Sequence, residues 1–515
     1  SPPLLVKLEV QGTLQVWNQR SIDVTLHVMF LHIKPSGRLI AGSPGAPFLG
    51  RFAIHLSGHA LLPPLDFCGL GSKSLCVEGQ LSLVGPLPSK TWTRLNQTVD
   101  AGATRLTLQE QVGWRDGDEI IVASSSYDQA DAERLTVGSV TNFGYFGSGA
   151  PTLLHTTAPF AKRHFAATES HGGRDVHMAA EVAVVDRSIE IRGVDLFEAD
   201  FFFPAAGSFF GFRVKVEGEA WFTGVRFVGG GFFRSPKIYS PTLDLLGKSG
   251  SQIKGCVFDA SIAQPIQIRG ERTQVTSNVV VNSVMSAIKI DVADHVVVAD
   301  NLVLSTHCMN FCAGCCGKWN VNVGNYDIVG RADTLTFTGN AAAGGVHGIR
   351  IVTVPPPTFS NNVVHSQQFG IALNFGPCNN QPIVLKDLTI WRNWDFGVWG
   401  HTHGCERMSL VNVTIADSKV GMTWGAVGPS SAAHIIGDQK IYVVDSIFIG
   451  RSLGNAECGG EWETAVSRPS TSLAFSWHVE RPQTAFQLPI FTTVYVDWPG
   501  WGEYGDAYSE ITYTN

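Results

Sequence analysis

In the second half of the chain, polar residues recur at fixed places beside short apolar strands. Aligning Ile266, Ile288, Ile349, Ile371 and Val398 puts Gln267, Lys289, Arg350, Ala372 and Trp399 in one outward column, because alternate strand residues point to opposite faces. A second outward column reads Arg269, Asp291, Val352, Asn374 and His401. Such a face can bind a sugar chain: the indole stacks on a ring, and the other groups hydrogen-bond hydroxyls and carboxylates. Glycoside hydrolysis needs two carboxylates flanking the scissile bond. These columns supply Asp291 alone, so no catalytic residue is assigned. The plainer reading is a solvated polar face, with Lys289 or Arg269 paired to Asp291.

Other clusters invite metal chemistry and have simpler explanations. In Trp399-Gly-His-Thr-His-Gly-Cys405, His401 and His403 lie on one side of a strand and would need a third ligand such as Glu406 or Cys378. A disulfide between Cys378 and Cys405 across adjacent coils competes with that reading. The run Cys308, Cys312, Cys315 and Cys316, with His307, would suit zinc, but two disulfides stapling an inserted loop suit a secreted protein better. Asp116, Asp118, Asp128 and Asp131 carry oxygens suited to a structural Ca²⁺, yet their spacing matches no defined calcium loop. No metal site and no cofactor is assigned. His164, His177, Glu181, Asp186 and Arg187 gather near a domain join, without a visible cleft or partner for acid–base work.

The chain has ten cysteines, and Cys68 with Cys76 completes the set of disulfide candidates. Asn96-Gln-Thr98 and Asn412-Val-Thr414 are N-glycosylation patterns. Together these favour an oxidising, extracellular setting. Lys and Arg number 37 against 44 Asp and Glu, with no basic block, which argues against a nucleic-acid partner. No apolar run is long enough to span a membrane, and the short apolar opening 2–6 does not make a signal peptide.

The elements that would position these residues form an internal repeat. Short strands follow Gly224, Gly255, Asn278, Asn301, Asn340, Asn362, Asp387, Asn412 and Asp445, several at intervals of 22 to 25 residues. A second strand follows after 8 to 10 residues in several units, as in Gly348-Ile-Arg-Ile, Gly370-Ile-Ala-Leu and Gly397-Val-Trp. One unit cannot bury its apolar face alone, whereas stacked coils share a continuous core. Repeated Asn can stack as a ladder of side-chain hydrogen bonds. The pattern predicts an all-β protein: a right-handed parallel β-helix over 201–455, preceded by a β-rich N-terminal domain over 1–92 and a β-rich connector over 93–200. Residues 456–515 are expected to cap the helix or begin a further region.

The stretches 77–85, Trp92-Thr-Arg-Leu95, 114–124 and 180–193, followed by the coil series from Gly224, resemble in order and spacing the fibrocystin-like proteins. They are similar also to the related cell-surface and cell-migration-inducing hyaluronidases. The resemblance implies an eight-glycine domain followed by parallel β-helix repeats, and a secreted or membrane-anchored ectodomain. It also implies that Arg187 orders the domain join. In the hyaluronidase branch a Tyr-Pro-Ile-His-Phe-His segment is expected where this chain reads Tyr239-Ser-Pro-Thr-Leu-Asp244, so both histidines are absent. A Glu-Asp-Gly segment is replaced by Lys289-Ile-Asp291. The expectation is therefore a structural or adhesive surface glycoprotein module, at the cell surface or ciliary membrane. Its expected partners are other surface proteins, copies of itself, or glycans. The rivals are a polysaccharide depolymerase and a non-catalytic glycan-binding module.

Overall fold

A computed structural model describes residues 3–58, 68–144, 149–171, 173–195, 209–235, 238–248, 250–291, 294–307, 323–330, 332–353, 355–377, 383–403, 407–418, 420–427, 439–450, 452 and 509–514. Strands dominate, and the one helical turn among the described residues is the 3₁₀ segment Gln129–Asp131. Parallel pairing stacks the strands into three ladders. The first includes Ser74–Val77, Arg213–Val216, Leu243–Leu245, Ile266–Ile268, Ile288–Ile290 and Gly324–Ile328. The second includes Arg51–Gly58, Ile189–Asp195, Val225–Val228, Val257–Asp259, Val279–Val284 and Leu302–His307. The third includes Gln80–Val84, Glu219–Thr223, Gln252–Lys254, Gln274–Thr276, Val297–Ala299 and Thr336–Thr338. The chain visits the second, first and third ladders in turn, so each circuit is one coil of a parallel β-helix.

Inward residues explain why these segments stack. Val214, Leu243, Ile266, Ile288, Tyr326, Ile349, Ile371 and Val398 follow one another in register along the first ladder and are all buried in one core. Each such aliphatic side chain contributes about 1.5–3 kcal/mol on burial. At the corner before the second ladder, the Asn278 amide accepts from Cys256 N (2.8 Å) and donates to Asn301 Oδ1 (2.9 Å) and to Ile253 O (2.9 Å). Asn301 repeats this on Asn340 and Val275 O, and Asn340 on Asn362 and Val298 O. This is the expected asparagine ladder. It satisfies polar groups that would otherwise be orphaned inside an apolar core.

The repeat markers resolve into two adjacent positions. Gly224, Gly255, Ser277, Asp300, Gly339, Asn361, Asp387, Asn412 and Asp445 have positive φ, a left-handed conformation that favours Gly, Asn and Asp. Cys256, Asn278, Asn301, Asn340 and Asn362 come one residue later and point inward. Asn362 pairs with Leu388, not with Asp387, so the sequence alignment slips by one residue there. The glycines before the second strands also have a physical cause. A Cβ on Gly370 would lie 2.4 Å from Gly397 O of the next coil.

The coils begin earlier than the boundary drawn at residue 201. Leu5–Val10, Asp23–Ile33, Arg38–Ala41 and Arg51–Gly58 already stack in parallel, so much of 1–92 is the first part of the same helix. The period is hidden because the chain leaves the helix after Val84 and rejoins it at Ile189. Between them lies a six-stranded antiparallel sheet in the order Trp92–Arg94, Glu181–Val184, Glu119–Val122, Glu133–Asn142, Thr152–Thr156, Arg105–Leu108. A bridge from Leu95 to Leu108 brings its last strand back to its first. At the far end, Ser509–Thr514 pairs in parallel with Gln439–Val444.

Candidate functional site

The outward column of the first ladder reads Glu9, His32, Cys76, Lys215, Asp244, Gln267, Lys289, Asp327, Arg350, Ala372 and Trp399 in successive register. The expected alignment of Gln267, Lys289, Arg350, Ala372 and Trp399 therefore holds, with one coil added. Asp327 stands between Lys289 and Arg350, on the strand Gly324–Ile328, and sequence reasoning missed it. The signal was the alternation in Tyr326-Asp-Ile328, obscured by the cysteine-rich segment before it. Asp244 was missed as a column member although Leu243-Asp-Leu245 carries the same alternation.

Each carboxylate on this strip is held by a cation. Arg269 Nε donates to Asp244 Oδ1 at 3.0 Å, and its Nη2 reaches Asp244 Oδ2. Lys289 lies 3.0 Å from Asp291 Oδ1, and Gln267 Nε2 donates to Asp291. Arg350 Nη1 donates to Asp327 Oδ1 at 2.6 Å, and Ser286 Oγ to Asp327 Oδ2 at 3.0 Å. Burial pushes the carboxyls of Asp244 and Asp327 above their ordinary range despite these partners, and the nearby Asp291 charge adds to the shift. Lys289 is raised: burial works against it, but Asp291 prevails. The two segments matched to the hyaluronidase branch thus meet on one strip. Arg269 pairs with Asp244 and not with Asp291. Trp399 is 6 % exposed and packs with Phe369 and Ala372, so its ring is largely covered. Backbone pairing sets Asn374 beside His401; their side chains lie outside the described residues.

Over the coils from Val257 to Ala343 the second ladder's outer face is covered. Val257, Val279, Val281, Leu302, Leu304, Ala341 and Ala343 pack into one core with the inserted sheet. Polar clasps tie the two together. Arg134 grips Asp259 with both nitrogens at 3.0 and 2.8 Å, and Arg226 donates to Asp259 at 2.7 Å and Glu119 at 3.1 Å. Burial would raise the Asp259 carboxyl, but the two guanidiniums hold it below its ordinary value. Glu181 is fully buried between Arg94 Nε (3.0 Å) and His365 Nε2 (2.7 Å). Burial opposes its charge, yet His365 and Arg94 bring it down to about 2. Arg187 donates to Gly255 O at 2.7 Å and Val184 O at 3.1 Å. His164 lies between Ala123 O and Glu133, at 2.8 and 2.9 Å. His177 faces Gln109 and Thr168. Glu181 and Arg187 thus dock the inserted unit on the coils, whereas His164 and His177 bond within it.

The calcium candidates serve their own turns. Asp118 accepts from Arg115 N, Asp128 caps the 3₁₀ turn through Ala130 N, and Asp131 takes Ser126 Oγ and Lys162. Among the described residues, one group places three possible ligand atoms together: His32, Cys68 and Cys76. Cys68 and Cys76 are joined in a disulfide, so neither offers a thiolate. Cys256 is a free, buried thiol pushed up to about 12 by burial. Cys308, Cys312, Cys315, Cys316, Cys378 and Cys405 lie outside the described residues, as do the side chains of His401 and His403. Asn96 is exposed. Asn412 is also exposed, but its amide donates to Asp387 at 2.7 Å and accepts from Arg174. Among the described residues, no helix is long and apolar enough to cross a membrane.

Comparison with known proteins bears out the resemblance carried by 92–95, 114–124 and 180–193. Residues 1–96 match the G8 domain family. The chain is 26% identical over 494 residues to fibrocystin-L of Homo sapiens, covering 88% of this chain and 11% of that protein. It is 23% identical over 512 residues to fibrocystin of Canis lupus familiaris, covering 97% and 12%. The chain thus spans about a tenth of the length of these curated relatives. Among solved structures, the tailspike gp61 of Pseudomonas phage phi297 is similar at 12% identity, covering 82% of this chain and 64% of that one, with a TM-score of 0.19. A likeness at that score carries no argument, and the coil described above rests on strand pairing alone.

Proposed function

We propose that this chain, fibrocystin-like over most of its length, is a rigid extracellular module that presents the first-ladder face to protein or glycan partners. Cell-surface placement, including a ciliary coat, belongs to this reading. It is supported by the Cys68–Cys76 disulfide and the exposed sequon at Asn96. One observation carries it: on the strip expected to meet a ligand, Asp244, Asp291 and Asp327 are each closed by a neighbouring cation. Groups locked to one another form a fixed pattern for recognition. A hydrolase would need one carboxyl free to give a proton and another free to attack or activate water.

A depolymerase is the second reading, favoured by the raised carboxyls of Asp244 and Asp327 beside Asp291. Incubating the chain with hyaluronan and other surface polysaccharides, and measuring polymer length and new reducing ends, separates the two. The module reading expects unchanged length. Cleavage that disappears in Asp327→Asn or Asp244→Asn would overturn it. Further copies of the chain are a proposed partner as well, and light scattering against concentration checks for them.

A further inference from the structure

A groove of about 500 Å³ runs where the inserted sheet meets the corner between the third and second ladders, away from the first-ladder strip. Its floor is built from the left-handed corner positions Ser277, Asp300, Gly339 and Asn361 of four consecutive coils. At a strand spacing of about 4.8 Å these corners extend roughly 15 Å. Gly339 keeps the floor low, since a Cβ there would come 2.3 Å from Asp300 Oδ1. The wall is the strand Trp92–Arg94. The Trp92 indole is fixed in orientation: its Nε1 donates to Asp300 O at 2.7 Å, and the Arg94 guanidinium sits 5.3 Å above the ring.

Charges in the groove divide into closed and open. Glu110 is taken by Lys90 at 2.7 Å and Thr93 Oγ1 at 3.0 Å, and Arg94 is anchored on Glu181. Asp300 and Lys254 are both exposed, and neither side chain has an ion-pair or hydrogen-bond partner among the described residues. One carboxylate, with the Lys90 charge nearby, and one ammonium, each without a direct partner among the described residues, therefore line the same channel beside a fixed indole. An acidic polymer would meet Asp300, and a basic one Lys254. A polyhydroxylated chain satisfies both, because its hydroxyls can donate to the carboxylate and accept from the ammonium.

We propose that this groove binds a linear, uncharged oligosaccharide segment of a few sugar rings. The proposal does not depend on what the first-ladder strip does. Isothermal titration of the whole chain with cellohexaose, chitohexaose, hexagalacturonate and hexaglycine tests it. One of the two neutral hexasaccharides should bind at one site per chain, more tightly than hexagalacturonate or hexaglycine. Asp300→Asn keeps a residue type suited to the left-handed corner. It should weaken the neutral sugar about fivefold, the worth of one hydrogen bond, while improving hexagalacturonate. Lys254→Met, at an exposed position, should weaken the neutral sugar with no change in melting temperature. The proposal is overturned if neither neutral hexasaccharide binds at millimolar concentration. It is equally overturned if Asp300→Asn shifts neutral and acidic sugars by the same factor, or if hexaglycine binds as tightly.

Discussion

The first and second ladders wrap the same interior but turn different outer faces to their surroundings. The first alternates strictly, as in Ile266-Gln-Ile and Ile288-Lys-Ile, and carries ion pairs outside. The second is apolar on both sides in the coils that the inserted sheet covers, as in Val279-Val-Val and Leu302-Val-Leu, whereas its earlier strand Ile189-Glu-Ile-Arg alternates. The contrast shows that the period of a strand reports how many of its faces are buried. It also assigns a role to each face: over these coils the second ladder docks a folded unit, and the first carries an ion-paired strip whose Asp244, Gln267, Asp327 and Arg350 are themselves buried.

The sharpest way to break this comparison is to put a charge on each face. Leu302→Asp places an unpaired carboxylate under the inserted sheet and should cost about 3–5 kcal/mol, the scale for an uncompensated buried charge. Denaturant melts measure it. A loss below about 1 kcal/mol, the surface scale, would mean the sheet is not firmly docked. A smaller effect is expected from acid, through Glu181. Its folded value of about 2 lies below the ordinary 4.5, so its contribution is fully present above pH 4.5 and is lost as pH falls towards 2. That contribution is on the order of 3 kcal/mol. Glu181→Gln should flatten the stability–pH curve in that window, and an unchanged slope would remove Glu181 as a docking charge. The smallest effect belongs to the first-ladder strip. Lys289→Ala breaks the half-buried pair with Asp291 and should cost about 1–2 kcal/mol, between the exposed and buried pair scales. A cost as large as that of Leu302→Asp would erase the distinction between the faces.

The coil itself was legible in the sequence, because corners and strands return every 22 or 23 residues where nothing intervenes, as from Asn278 to Asn301 and from Asn340 to Asn362. So was the outward column, because alternation fixes facing without knowledge of the partner strand. Asp327 escaped because residues 308–322 stretch one circuit and hide its strand. The early coils escaped because the inserted sheet separates Val84 from Ile189, and no local period spans such a gap. The one-residue slip at Asp387 arose because Asn suits both the left-handed corner and the inward position beside it. The groove wall could not be read at all: Trp92 and Asp300 are 208 residues apart and meet only through docking. Even so, the doubly apolar runs in the second ladder were a sign of a cover that the reading passed over.

The detour of the chain between Val84 and Ile189 also bears on how the molecule assembles. Ile266 finds its neighbour Ile288 within 22 residues, whereas Phe52 must find Ile189 across 189 − 52 = 137 residues. Closing a longer loop costs more entropy and slows contact formation. Later coils can zip up from short-range contacts, but the seam at Phe52 waits for the intervening segment to collapse and draw its own ends together. Maturation of the amino-terminal coils is thereby tied to a unit that contributes no strand to them.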